Sequence, residues 1–334
     1  MLSLPNTLVT LFLFLLSTDS FAADLFDMLK RMSDADQNQN YQGTFILRKS
    51  DNLSTLHVTH GVDENGVWES LEALNGEQRK VLRHNNRVIS IFPDRAIITI
   101  RHNSKKQSLH PQLPENIEQL EQFYSMSRLE DDRIANHMSL VVDLLPKDEY
   151  RYGYRYWVDK NTGMLLRCDL VDEDKAVVEQ MMFTSLEYLS VKPFQAFELP
   201  LFEQFKQQLL QDEPEIDVPQ ATETEWKVAR LPKGFKLTQS TMRNSQSSAA
   251  SVSGVSAPDL LHMVYSDGLA SVSVFIEENQ GADKHLQGAS SMGAVNAFGH
   301  AVEHHFVTVV GEVPKKTVQL MAQSTYKSTQ AKAP

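Results

Sequence analysis

The sequence predicts a mainly β chain in two unequal parts: an open antiparallel β half-barrel, then a smaller α+β domain. Three observations carry this. Alternating apolar and polar runs follow one another at short intervals between residues 41 and 189. Several breaks between them are brief turn signals, 63–66 (Asp-Glu-Asn-Gly), Asn75-Gly76 and Asn85-Asn86, too short for the crossovers that a parallel sheet needs. An acidic stretch with two prolines and no apolar period, residues 211–225, then separates this block from a second one. A length of 334 residues suits two domains of ordinary size.

The N-terminus has the pattern of an export signal. Residues 8–16 (LVTLFLFLL) match a signal-peptide apolar core and are too few to span a bilayer, and Ser20-Phe21-Ala22 puts small residues where a signal peptidase needs them. Residues 1–22 are therefore expected to be a signal peptide cleaved before Ala23, although MLSLPNT carries no Lys or Arg. No cysteine follows the apolar core, so a lipid anchor is not expected.

Residues 24–32 place Leu25, Phe26, Met28, Leu29 and Met32 near one helical face, and the turn-rich stretch 33–40 is expected to end that helix. Strands are expected over 41–49, 56–62, 67–74, 79–84, 87–92 and 96–102, then a helix over 114–126, then strands over 127–131, 137–145, 151–159, 165–171 and 177–189. A sheet of about eleven strands cannot stay flat, and its twist curls it toward a half-barrel with an apolar hollow. Residues 199–210 (LPLFEQFKQQLL) read as a short amphipathic helix, so the first domain is expected to span 23–210.

The second domain is expected over 226–330, after the linker 211–225. Its strand signals lie at 226–229, 234–242, 260–265, 269–277 and 305–310, with a Ser-rich loop over 244–257 and a closing helix over 314–326. The hairpin around Ser266-Asp267-Gly268 is clear, because Val272, Val274 and Ile276 alternate with Ser271, Ser273 and Phe275.

The formal net charge is −11, from 43 acidic and 32 basic residues, which disfavours nucleic acid and anionic membrane surfaces as partners. A single cysteine excludes a disulfide within the chain; Cys168 sits in an alternating strand pattern and reads as a small buried side chain.

No constellation for an enzyme stands out, and no cofactor or metal is expected. His300-Ala301-Val302-Glu303-His304 fits a zinc-binding H-x-x-E-H only on a helix, whereas the HFVTVV that follows pulls it toward a strand, where the two histidines would stand about 13 Å apart. His57 and His60 face opposite sides of a strand. Ser324 and Lys327 match S-x-x-K without partner motifs, Asp131-Asp132 reads as a solvated turn, and Arg101, His102, Lys105 and Lys106 form a small basic spot.

Several stretches resemble the sigma-E regulators of the RseB/MucB family. They are MVYSDGLASVSVFIE at 263–277, VTVVGEVP at 307–314, YQGTF at 41–45, RKV at 79–81 and YRYWVD at 154–159. The resemblance implies a lipoprotein-carrier-like open barrel joined to a smaller domain, residence in the periplasm, and binding to the periplasmic part of a transmembrane anti-sigma factor, shielding it from regulated proteolysis. It also implies release by lipopolysaccharide or by the acyl chains of misplaced lipoprotein. It carries no catalytic residues over. The partner surface is expected to include Tyr265, Ser266, Asp267, Gly268 and Phe275. Core packing of the hairpin is the competing reading, and for Phe275 packing on the closing helix. The residues leave monomer and homodimer both open. A lipid or lipoprotein carrier is the alternative function, and a metallohydrolase built on His300 and His304 a more distant third.

Overall fold

Alternation and short turns build two large, almost wholly antiparallel sheets in the computed structural model, which describes residues 19–85, 87–102, 117–191, 206–209, 224–243, 259–279 and 287–328. The first part opens with helix α1 (Asp19–Asn38). Strands β1 (Tyr41–Lys49), β2 (Asn52–Asp63), β3 (Gly66–Ala73), β4 (Lys80–His84), β5 (Arg87–Phe92) and β6 (Ile97–His102) follow as a meander. A short 3-10 turn (Pro93–Arg95) joins β5 to β6, and after a second 3-10 stretch (Ile117–Gln122) come β7 (Tyr124–Arg128), β8 (Asp132–Ile134), β9 (His137–Pro146), β10 (Gly153–Asp159), β11 (Leu165–Val171), β12 (Val177–Tyr188) and β13 (Lys206–Leu209). The thirteen strands form one sheet in the order β13-β6-β5-β4-β3-β2-β1-β12-β11-β10-β9-β7, with β8 also on β9. Among the described residues its two end strands do not pair, so the sheet is an open half-barrel rather than a closed one.

Helix α1 lies on one face of this sheet. Leu25, Met28, Leu29 and Met32 are buried there with Tyr41, Phe45, Val58 and Leu71 and with Leu144, Tyr154, Tyr156 and Cys168. The hollow expected from strand count is, on this half of the sheet, packed by helix side chains. Toward β6 the apolar face changes sides. Leu71 pairs with Val81, so the neighbouring Leu82 points the other way, and it forms a small separate core with Ile89, Ile91 and Ile98.

The second part contains β14 (Trp226–Val228), β15 (Lys236–Arg243), β16 (Leu260–Ser266), β17 (Ser271–Glu278), β18 (Gly288–Met292), β19 (Val295–Val302), β20 (His305–Gly311), helix α2 (Lys315–Gln323) and β21 (Thr325–Lys327). Six of the strands form a sheet in the order β15-β16-β17-β20-β19-β18, and β14 pairs with β21. Helix α2 covers one face through Val318, Met321 and Ala322, against Val272, Val274, Val307 and Val309.

Several expectations need correction. Helix α1 continues past Met32 through the stretch read as a turn, because Ala35 packs into the core and the Asn38 side chain donates to the Asp34 carbonyl (2.8 Å). Of the helix expected over 114–126, residues 117–122 form the second 3-10 stretch and 124–126 belong to β7, since β9 offers Tyr124–Arg128 a strand partner; 114–116 lie outside the described residues. Of the helix expected over 199–210, residues 206–209 are instead β13, which pairs in parallel with the edge of β6, and the rest lie outside the described residues. The closing helix stops at Gln323, and Thr325–Lys327 turns back onto β14. Strands β18 and β19 were not expected as a pair. Residues 1–18, most of the linker and the Ser-rich loop lie outside the described residues.

Candidate functional site: the seam between the two sheets

The hairpin singled out in the sequence joins the two parts. Tyr265 is buried in the small domain's core. Ser266 Oγ accepts from the Gly268 amide (3.0 Å) and donates to the Ala270 carbonyl (2.8 Å). Asp267 Oδ1 accepts the amides of Leu269 (2.9 Å) and Ala270 (2.8 Å). Gly268 sits at φ +102, which glycine adopts without steric cost. With one carboxylate oxygen shaping the turn, the other is free to bond outward, and it accepts from Nη1 of Arg151 in the first domain.

Arg151 comes from the segment between β9 and β10. Its Nε and Nη2 donate to the two oxygens of Asp148 (3.1 and 3.0 Å), and Nη2 also donates to the Lys233 carbonyl (2.6 Å). The guanidinium lies over Phe123 (5.1 Å), Tyr124 (5.6 Å) and Phe235 (5.2 Å), rings drawn from both domains. The side chains of Arg151 and Asp267 are each 0% exposed. A buried charge pair is tolerated only when its hydrogen bonds are filled, and here they largely are. Gly234 completes this end. At φ +92, an added Cβ would stand 2.4 Å from Cζ of Phe123.

The other end of the seam is different. Thr317 Oγ1 donates to the Tyr150 carbonyl (2.7 Å), and Lys316 reaches Glu149 (3.1 Å) and Glu173 (2.6 Å) at the surface. Asn296 Nδ2 donates to the Tyr152 hydroxyl (3.0 Å) and the Val313 carbonyl (2.8 Å). Glu179 of β12 accepts the Ala294 amide (3.4 Å) and pairs with Lys49 (3.0 Å). Glu312 of the second domain faces that same carboxylate. Burial, then the Glu179 charge, push the Glu312 carboxyl above its ordinary range, while Lys49 pulls the other way.

Phe275 lies elsewhere. Val272, Val274 and Ile276 are buried toward α2. Phe275 stands half-buried on the opposite face, stacked on its cross-strand partner His262 at 4.4 Å. Packing on the closing helix is therefore not what holds it.

The remaining candidates have structural surroundings. His300 is in β19 and meets the Ala322 carbonyl (2.8 Å), while Glu303 and His304 form the hairpin turn. His60 stacks on Tyr41 (5.0 Å), and His57 meets Thr44 (3.4 Å). Ser324 caps α2 and exchanges bonds with Arg230. Asp131 and Asp132 are not merely solvated. Asp131 pairs with Arg128 (3.1 Å) and Lys160, and Asp132 accepts from the Trp157 indole (2.9 Å). Lys105 and Lys106 lie outside the described residues. Cys168 is buried, and burial pushes its thiol well up. Arg151, Glu179 and Glu312 were missed; Asp267 is 116 positions from Arg151, and the two acids lie on different domains, with no local signal linking either pair.

The fold and seam define a two-domain β protein in which an open half-barrel is clamped to a small sheet-and-helix module. The chain belongs to the MucB/RseB family: the family's N-terminal domain matches residues 24–209 and its C-terminal domain residues 220–326. The sigma factor AlgU regulatory protein MucB of Pseudomonas aeruginosa is 30% identical over 313 residues, covering 91% of each chain. The sigma-E factor regulatory protein RseB of Haemophilus influenzae is 23% identical over 308 residues, covering 88% of this chain and 89% of that one. The solved structure of MucB in complex with MucA(peri) superposes with a TM-score of 0.68 at 27% identity, covering 91% of this chain and 99% of that one. These relatives are named as regulatory proteins.

Proposed function

We propose that this chain is a periplasmic negative regulator of an envelope-stress sigma factor. It binds the periplasmic part of a transmembrane anti-sigma factor and shields it from regulated proteolysis. The observation that carries this reading is the whole-chain likeness, across both domains, to a relative solved in complex with MucA(peri). The protein is read as a binding protein and not an enzyme, exported by a signal peptide over residues 1–22. Its two folding units are the stretches 23–210 and 226–330 joined by 211–225.

With Tyr265 in the small core and the Asp267 side chain turned to the first domain, the parts of the hairpin open to a partner include Gly268 at the exposed turn and Phe275 beside His262. Acyl chains of lipopolysaccharide or lipoprotein are proposed as the releasing signal, and they would compete with the α1 side chains for the sheet's apolar face.

The test is calorimetric titration of the chain lacking residues 1–22 with the periplasmic segment of its anti-sigma factor, alongside protease digestion of that segment. Saturable binding with protection is expected. Binding absent, or binding without protection, overturns the reading. Displacement of a fluorescent fatty acid tests the lipid arm separately.

A further inference from the structure

We propose that the facing carboxyls of Glu179 and Glu312 make the contact between the two domains proton-sensitive, tighter in acid and looser toward neutral and alkaline pH. This deepens the functional reading by giving the binding protein a second input, and it rests on that reading only for its biological use.

The geometry sets the two acids against each other across the seam. Glu179 projects from β12, 8% exposed, and its Oε1 accepts the Ala294 amide of the second domain (3.4 Å). The turn holding Ala294 sits close on it, since a Cβ on Gly293 would lie 3.3 Å from Oε1 of Glu179. Glu312 directly follows β20; Gly311 before it is paired with Asn296, two positions from Ala294, and this register brings the Glu312 carboxyl up beside that of Glu179.

The surroundings supply too little positive charge for both acids. Lys49 of β1 pairs with Glu179 at 3.0 Å and also attracts Glu312. Tyr152, Tyr154 and Cys168, with Asp172 beside Tyr152, also lie within electrostatic range, and none of these is cationic. Lys316 is occupied by Glu149 and Glu173. Two carboxylates and one ammonium therefore share a part-buried space, and one proton held between the carboxyls relieves the repulsion.

The sign follows from linkage. With the seam closed, burial and Glu179 raise the affinity of Glu312 for its proton; with the seam open, Glu312 returns to water and its ordinary value. Closing therefore takes up a proton. The contribution to closure is complete below the ordinary carboxylate range and is lost as pH rises through the raised value. Each pH unit of separation between the two states changes the closing equilibrium by about tenfold.

The test uses the whole chain lacking residues 1–22, with no partner present. One spin label is placed on each domain, at the exposed Leu74 and Met242 positions, in a Cys168→Ser background. Interdomain distance distributions are recorded from pH 5 to 8. The unaltered seam should shift toward longer or broader distances as pH rises. Glu312→Gln, which is neutral at every pH and can still donate a hydrogen bond, should remain closed throughout. Lys49→Met should open at a lower pH than the unaltered seam. Circular dichroism melts establish that each variant is folded across the range. A distribution that does not change with pH, or a Glu312→Gln variant that keeps the full pH response, overturns the proposal. Because no anti-sigma factor is involved, failure to bind that partner would leave this result standing.

Discussion

The two ends of the seam solve the same problem in opposite ways. At one end, a guanidinium and a carboxylate are taken wholly out of water, and their hydrogen-bonding capacity is largely filled by Asp148, Lys233 and the hairpin amides. At the other, two carboxyls confront each other with a single lysine between them. Filled capacity makes the first end strong and insensitive to conditions. Unmatched charge makes the second weaker and adjustable. A contact built only like the first would be permanent, and one built only like the second would not hold.

Removing the strong end should have the largest effect. Arg151→Met leaves Asp267 buried without a cation and should cost about 3–5 kcal/mol in urea unfolding monitored at the second domain. Adding Asp267→Leu to that variant should recover much of the loss, because the expense lies in the stranded charge. If the double variant is no better than the single one, the pair is not the coupling element described here.

Gly234→Val comes next. It combines a φ of +92 with a Cβ on the ring of Phe123, a member of the first-domain core, and should cost about 1–3 kcal/mol and disturb the near edge of that core. Near-UV circular dichroism of the packed tyrosines checks that core. On the adjustable end, Asn296→Leu leaves the Tyr152 hydroxyl and the Val313 carbonyl without their bonds, an expected loss of about 1–3 kcal/mol. Lys316→Ala should change thermal stability by less than about 1 kcal/mol, with the difference shrinking in salt, because its two acidic partners are more than half exposed. Phe275→Ser lies outside the seam and should barely move the melting temperature. If it is an anchor for the partner, it should weaken that binding by about 1–3 kcal/mol. A sharp fall in melting temperature would instead make Phe275 a stability element of the small sheet.

Local pattern made much of the sheet readable. The expected limits of β1, β5 and β11 coincide with the observed ones, because each combines strong alternation with a definite turn at its ends. Local pattern misled where a neighbouring sheet edge outbid it. The Leu and Phe spacing of 199–210 and the Ile117–Leu120 spacing suit a helix, yet open strands at β6 and β9 drew parts of both segments into the sheet. Strands β18 and β19, rich in Gly, Ala and Ser, carried too little β propensity to be seen. The hairpin of 260–277 was legible as a hairpin, and its burial alternation came out as expected. Its destination was not legible, because Arg151 is 116 positions from Asp267 and nothing near either residue announces the other.

The lone thiol of Cys168 gives the first domain a clock. It lies under α1, opposite Tyr156, and 7% exposed, with burial holding it in its unreactive protonated form. An aqueous thiol reagent can reach it only when the helix lifts or the sheet parts. Since the chain has no other cysteine, the labelling rate reports that one event without background. Slow reagent consumption at high reagent concentration reads the opening rate, and at low concentration it reads the open population. Any ligand that takes the place of α1 on the sheet would make the clock run faster, and any that seals the helix down would slow it.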